Sequence, residues 1–402
     1  MMPIHKTDVV YLAILIALLA VVFGLNWVAG GTITSPQNLA IDLVSPPESP
    51  QTWSMQSWVP TRYRVLFYWI VQASYTTFFS SNDARAFYLV FVSWSFIFFA
   101  CALITFYFYL HELNFTHTLA FVGGLLFLAS PPVTLAYKYP VYTREDPLAY
   151  FLVLLGLFSV FKRKSTWVCI ISTLAALTRE TTLIVPLAYL LTANDSWRKR
   201  ILVCTPPMLA VIGIRGLMGF ATYDPFEGSI YNFKTPWQTS AFLFCVFGIL
   251  WIPFFVELIN KRRNHTHIDY PWQVLTSTAL IIFILVLGTQ LALARAREIR
   301  IAFLMFPWVI PLALYWFREN GEHLSVMVHQ FSFWTWGIGV FASLSLGILW
   351  LQQNNPDLMK FYLTDFKNGY WLALADLHLS ATLALVVPLW LNQRKLETQT
   401  AR

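Results

Sequence analysis

The sequence predicts an all-α polytopic membrane protein, and three features of its composition support that prediction. Of its 402 residues, 57% are hydrophobic and only 12% are charged, whereas soluble proteins carry about 25% charged residues. Apolar runs of about 20 residues, the length that crosses a bilayer as a helix, recur along the chain. The chain also has 17 Trp and 18 Tyr, which suit interfacial belts. No long polar stretch is left for a soluble domain, so residues 1–402 are expected to form a single transmembrane domain.

The apolar runs predict about ten spanning helices. They cover residues 9–28, 86–110, 118–138, 147–161, 201–219, 240–260, 272–292, 300–317, 330–351 and 378–392. The first run could belong to a cleaved signal peptide, but it is long enough to span, and we interpret it as a retained anchor.

The segment at 29–85 is expected to be a loop that contains an interfacial helix. Its first half is rich in proline, and its second half, at about 62–80, is aromatic but short. Gln72, Ser74, Thr76 and Thr77 interrupt the apolar character of that second half. This pattern is typical of a helix that lies in the membrane interface.

The segment at 166–193 predicts a re-entrant helical hairpin. A single span there would place the basic clusters at 162–164 and 198–200 on opposite faces, whereas the positive-inside rule places both in the cytoplasm. Two short helices, at 166–178 and 181–193, resolve this conflict and put Arg179 and Glu180 at the tip. A charged tip is tolerated when it is buried in protein or faces a water-filled cavity.

With these spanning helices, the interfacial helix and the hairpin, both termini are expected to lie in the cytoplasm. Charge rules then place an unusual set of polar residues at the outer face. Its candidate site residues are Asp42, Arg64, Arg144, Glu145, Asp146, Arg179, Glu180, Arg215, Arg295, Arg297, Glu298 and Arg300. Ionisable groups at membrane depth are costly and usually mark a pathway or a site.

The basic members of this set suit a phosphate group. Arg295, Arg297 and Arg300 break the positive-inside rule if they lie outside, which indicates an anionic partner there. Guanidinium groups bind phosphate oxygens bidentately and remain charged at any relevant pH. We expect Glu298 to orient one of these arginines. The alternative is an anchor to lipid head groups.

The acidic members are candidates for proton transfer. Asp42 is the candidate general base, and Asp146, followed by Pro147, has the pattern of a helix start. Glu145 is the neighbouring acid. Simpler roles remain open: Asp42 as a solvated loop residue, Asp146 as a helix cap only, and Arg179 and Glu180 as a structural pair with each other or with Arg215.

Together these features resemble the GT-C class of membrane glycosyltransferases. The resemblance rests on the outer loop with Asp42 and an interfacial helix, on Glu145 and Asp146 before a helix, and on the Leu-Thr-Arg-Glu segment at 177–180. It implies transfer of a sugar from a polyprenyl-phosphate donor to a lipid or glycan acceptor at the outer face. The class admits a divalent metal, but no metal ligand is identified in the sequence. Short loops and the lack of a retention signal favour a bacterial inner membrane. The positive charge lies in short clusters between helices, so the expected partners include membrane lipids and no nucleic acid.

Two other functions and a structural role compete with this one. An O-antigen polymerase-like or ligase-like enzyme would also use polyprenyl-linked sugars and outer arginines, although usually with a larger late loop. A secondary transporter or flippase would place charges near the midplane on broken helices with repeat symmetry. A lipid-binding structural protein is the last alternative.

Overall fold

The computed structural model describes residues 5–30, 64–79, 84–134, 145–218, 227–234, 236–263, 269–294 and 299–321, and in these ranges all secondary structure is helical. In chain order the α-helices are α1 (Lys6–Gly30), α2 (Val65–Phe78), α3 (Ala84–Glu112), α4 (His117–Ala129), α5 (Pro131–Thr134), α6 (Asp146–Phe161), α7 (Ser165–Thr178), α8 (Ile184–Thr192), α9 (Trp197–Met218), α10 (Glu227–Lys234), α11 (Pro236–Phe247), α12 (Trp251–Arg263), α13 (Tyr270–Leu293), α14 (Arg300–Phe303) and α15 (Phe306–Glu319). The predicted spans at 330–351 and 378–392 lie outside the described residues.

Four described helices are long and apolar enough to cross a membrane. Their spanning stretches are Lys6–Gly24 of α1, Leu89–Glu112 of α3, Trp197–Met218 of α9 and Tyr270–Leu293 of α13. The all-helical fold is therefore confirmed for the described residues, and four helices have the length and composition of membrane spans, whereas about ten spans and a GT-C-like architecture are not confirmed.

Several of the other predicted spans are shorter or broken, and each break has a local cause. The span predicted at 118–138 ends as α4 at Ala129, before Pro131 and Pro132, because a residue before proline is disfavoured in the helical region. The span predicted at 240–260 is interrupted at Gly248, whose φ of 51° only glycine adopts readily. A 3₁₀ turn, Gly248–Leu250, therefore separates α11 from α12.

The helices run between two ends of the bundle. At the end where α1 begins, which we call the N-terminal end, the Lys162 ammonium lies 2.6 Å from Glu112, and Asn114 donates a hydrogen bond to Asp269 at 3.0 Å. The ends of α3 and α6 and the start of α13 therefore meet there. The starts of α2, α6 and α14 lie at the opposite end.

The segment predicted as a hairpin folds as two short helices with a break between them. Arg179 ends α7 with extended backbone, φ −164° and ψ 134°, and a 3₁₀ turn, Glu180–Leu183, leads into α8. The Tyr189 hydroxyl, near the end of α8, lies beside Ser165 at the start of α7. The chain therefore returns to the N-terminal end and leaves Arg179 at the opposite end; whether the hairpin is re-entrant in a membrane stays a prediction.

Glycines allow several close helix approaches in this bundle, two of them at Gly156 and Gly123. A Cβ on Gly156 of α6 would lie 2.7 Å from Cγ1 of Val185 in α8, and a Cβ on Gly123 of α4 would overlap with Cδ1 of Leu110 in α3. Small residues at such contacts let membrane helices pack closely. Gly156 thereby fixes the hairpin against the helix that begins with Asp146.

Candidate functional site

Seven charged side chains meet at the opposite end of the bundle, and we call them the arginine–carboxylate cluster. They come from the residue before α2, the start of α6, the break between α7 and α8, the last turn of α9 and the first residue of α14. The members are Arg64, Glu145, Asp146, Arg179, Glu180, Arg215 and Arg300.

The centre of the cluster is an ion pair between Arg179 and Asp146. Both residues are wholly buried, and the guanidinium donates directly to Oδ1 of the carboxylate. The Nη1 atom of Arg300 lies 3.4 Å from the other oxygen, Oδ2. Asp146 is thus held by two arginines, and the charge of Arg179 is neutralised where water is excluded.

This arrangement corrects the expectation that Asp146 caps its helix. Glu145 occupies the N-cap position of α6, and its side chain makes no capping hydrogen bond. Asp146 is the first residue of the helix and its carboxylate faces the two arginines. Its charge still lies in the first helical turn, where the helix dipole favours an anion.

The rim of the cluster is more open than its centre. Nη1 of Arg64 lies 2.5 Å from Oε1 of Glu145, and its Nε lies 3.6 Å from Glu180. Arg215 lies 3.4 Å from Oε1 of Glu180, and 38% of its side chain is exposed. A ligand can therefore reach the cluster beside Arg215 and Glu180.

The electrostatics of the cluster favour an anion. In the described part of the chain it contains four guanidinium groups and three carboxylates, an excess of one positive charge. Burial would raise the pKa of Glu145, but Arg64, Arg300 and Arg179 outweigh burial and lower that pKa from 4.5 to about 2. Each of the three carboxylates has a guanidinium partner, so the cluster does not fit a divalent cation.

The lowered pKa of Glu145 predicts a pH dependence of stability. A carboxyl group whose pKa is lower in the folded state stabilises the fold above its unfolded pKa and loses that contribution as pH falls through the folded pKa. We therefore expect wild type to lose stability relative to Glu145→Gln between about pH 4.5 and pH 2. Unfolding midpoints of both proteins across this range test the expectation, and a constant difference would contradict it.

The structure brings together seven of the twelve candidate site residues from the sequence. The other five, namely Asp42, Arg144, Arg295, Arg297 and Glu298, lie outside the described residues. Of the two structural pairings left open for Arg179 and Glu180, the one that involves Arg215 is present, because Arg215 pairs with Glu180. Arg179 pairs with Asp146, and Glu180 pairs with both Arg64 and Arg215.

Two supporting residues had no clear signal in the sequence. Asn232 of α10 donates from its carboxamide to the carbonyls of Leu291 and Ala294, at 3.1 and 2.7 Å. It thereby fixes the end of α13, from which the chain leads to Arg300. Tyr150, one turn after Asp146, is buried, and its hydroxyl contacts the Arg300 carbonyl at 3.4 Å.

Aromatic side chains form the base beneath the cluster. The Tyr150 ring lies 5.2 Å from that of Phe303 and 5.8 Å from that of Phe306. Phe127 of α4 packs against Phe306 at 5.0 Å. This apolar layer excludes water below the ion pairs and strengthens their electrostatic interactions.

No protein-family model, no curated protein and no solved structure matches this chain. The chemistry of the arginine–carboxylate cluster is therefore what supports a function.

Proposed function

We propose that this protein is a membrane glycosyltransferase of the GT-C type that moves a sugar from a polyprenyl-phosphate donor to a lipid or glycan acceptor. One observation carries the proposal: arginines from four separate segments meet carboxylates at one end of an apolar helical bundle, with an excess of positive charge. A membrane substrate with an anionic head group matches that chemistry.

The arginines would stabilise the departing phosphate. An acceptor hydroxyl attacks the anomeric carbon, the bond from that carbon to the phosphate oxygen breaks, and the polyprenyl phosphate leaves with the electron pair. Arg300 and Arg215, which retain exposed surface, are the members of the cluster best placed to contact it. Fixed cations at a developing charge are usually the largest catalytic contribution. Arg295 and Arg297 precede Arg300 in the sequence and are proposed as further ligands of the phosphate.

The proton of the acceptor hydroxyl must pass to a carboxylate, and the contacts in the arginine–carboxylate cluster indicate which carboxylates are suited to accept it. Asp146 and Glu145 are buried and each is already held by an arginine. The lowered pKa of Glu145 also makes that carboxylate a weak base. Their proposed role is therefore to position Arg179, Arg300 and Arg64. Asp42, or Glu180 at the open rim, is the better candidate for general base.

The proposal includes the topology expected from charge. About ten spans would place both termini in the cytoplasm and the arginine–carboxylate cluster at the outer face of a bacterial inner membrane. The finding that Lys162, after α6, and Arg200, after the hairpin, lie at the N-terminal end supports this orientation.

Mass spectrometry of the lipids that co-purify with the protein tests this proposal. We expect polyprenyl phosphate or its glycosylated form with wild type, and its loss from Arg300→Ala and from the triple variant in which Arg295, Arg297 and Arg300 become alanine. Arg318→Ala is the matched control, because Arg318 contacts the Phe115 ring at the N-terminal end. Only bulk phospholipid with both wild type and variants would contradict the proposal.

A secondary transporter is the second candidate, because the break at Arg179 creates a pair of discontinuous helices. Transporters use such half-helices to bind anionic substrates. An assay with a radiolabelled sugar donor separates the two functions. An enzyme forms a new glycosidic product and loses it in Arg300→Ala, whereas a transporter forms none in any variant.

A further inference from the structure

Three potential metal ligands meet at the N-terminal end of the bundle, far from the arginine–carboxylate cluster. Asp8 lies in the first turn of α1, His111 in the last turn of α3, and His117 is the first residue of α4. One ligand atom from each lies within 4.8 Å of the other two. We call these residues the Asp8–histidine cluster.

The distances within this cluster are those of a nearly assembled metal site. Oδ1 of Asp8 lies 2.5 Å from Nδ1 of His117 and 3.6 Å from Nε2 of His111. The two imidazole rings are 4.6 Å apart, centre to centre. A tetrahedral ion with bonds of about 2 Å holds its ligand atoms about 3.3 Å apart. Small side-chain rotations therefore suffice to close the site.

The carboxylate of Asp8 is already held in position by outer partners. The Tyr107 hydroxyl donates to Oδ1 at 2.7 Å, and the backbone amide of His5 donates to Oδ2 at 2.9 Å. Hydrogen-bonded outer partners of this kind orient ligands in metal sites. Only 3% of the surface of Asp8 is exposed, so its charge is removed from bulk water.

Nε2 of His111 supplies a second, independent observation. This nitrogen is shielded from solvent and makes no hydrogen bond within the described residues. Buried polar atoms are normally satisfied. In the tautomer that leaves Nε2 unprotonated, its lone pair is available, and a cation shared with Asp8 would satisfy it. A ring of hydrogen bonds alone satisfies His117 but not this atom.

We propose that the Asp8–histidine cluster binds one divalent transition-metal ion, with Zn²⁺ the best match. Two imidazoles and one carboxylate are ligands that zinc accepts. The fourth position is open to water or to His5, whose ring lies 5.5 Å from that of His117. Because the ligands come from three helices, the ion ties the start of α1 to α3 and α4. This site is independent of the proposed glycosyl transfer.

Metal titration of the full chain tests the proposal. Purified protein is stripped with a chelator, and ZnCl₂ is added in competition with a chromophoric chelator. Wild type should bind one tightly held Zn²⁺ per chain, and Co²⁺ should give the visible absorption of tetrahedral coordination. Loss of an outer hydrogen-bonding partner typically weakens metal binding by about 10–100-fold. Asp8→Asn and His111→Ala each change a ligand itself, so each should weaken Zn²⁺ binding by more than that.

Two controls separate this site from incidental binding. The first control concerns two other histidines among the eight in the chain. His265 and His267 form a His-x-His pair in the sequence but do not belong to the Asp8–histidine cluster. The His265→Ala/His267→Ala variant should therefore bind Zn²⁺ as wild type does. Asp8→Asn retains a side-chain oxygen that can accept from Tyr107, and elution of the variant as a monodisperse peak establishes that it is folded. Zinc binding that is absent in wild type, or lost only in the His265→Ala/His267→Ala variant, would overturn the proposal.

Discussion

Replacing Arg179 by methionine is expected to destabilise the protein by about 3–5 kcal/mol, because it leaves a buried carboxylate without its closest partner. Asp146 and Arg179 are both wholly buried, and Arg300, at 3.4 Å, compensates only in part. The free energy of unfolding in mixed micelles measures the loss. Unfolding followed by titration with SDS gives this quantity for helical membrane proteins.

A double variant distinguishes loss of the pair from loss of side-chain volume. Arg179→Met combined with Asp146→Leu removes both charges, and such replacements of buried ion pairs are often neutral or stabilising. We therefore expect the double variant to recover most of the lost stability. The control is Arg318→Met at an exposed site, where changes usually remain within about 0.5 kcal/mol. A double variant less stable than Arg179→Met would show that the pair is not the source of the effect.

Gly156→Leu is expected to cost about 1–3 kcal/mol or more, because it forces extra volume into a packed contact. The neighbouring atom is Cγ1 of Val185, 2.7 Å from the added Cβ, and valine is stiff at χ1. Val185 is wholly buried, so α8 must move away from α6. The same micelle unfolding measurement, supplemented by lipid co-purification, records both the loss and its effect on the cluster.

Gly213→Leu in α9 provides the matched control for this substitution. No heavy atom lies within 4 Å of a Cβ built at Gly213, so the added side chain enters open space. We expect no loss of stability there, and a small gain is consistent with the higher helix propensity of leucine. Equal losses at Gly156 and Gly213 would contradict a specific contact between α6 and α8.

The helical class and the location of the charged break followed from the sequence because both depend on local properties. Apolar runs identify membrane helices, and the basic residues on both sides of 166–193 required the chain to turn near Arg179. The helix interruptions near Ala129 and Gly248 were missed. A hydropathy pattern averages over single prolines and glycines, whereas these residues determine where a helix ends.

The pairing within the cluster could not be predicted from the sequence. Arg179 and Asp146 are separated by 33 residues, and Arg64 and Glu145 by 81. Partners this far apart are selected by helix packing, which local patterns do not encode. For the same reason Asp8, His111 and His117 gave no signal as a group, since each is an ordinary polar residue near a helix end.

The order of the cluster along the chain has a consequence for biosynthesis. Asp146 is synthesised 33 residues before Arg179, whereas Arg300 follows Asp146 by 154 residues. When Arg179 leaves the ribosome, its partner Asp146 has therefore already left it. The two can pair before Arg300 is synthesised, and Arg300 then joins an assembly whose central charge is already balanced.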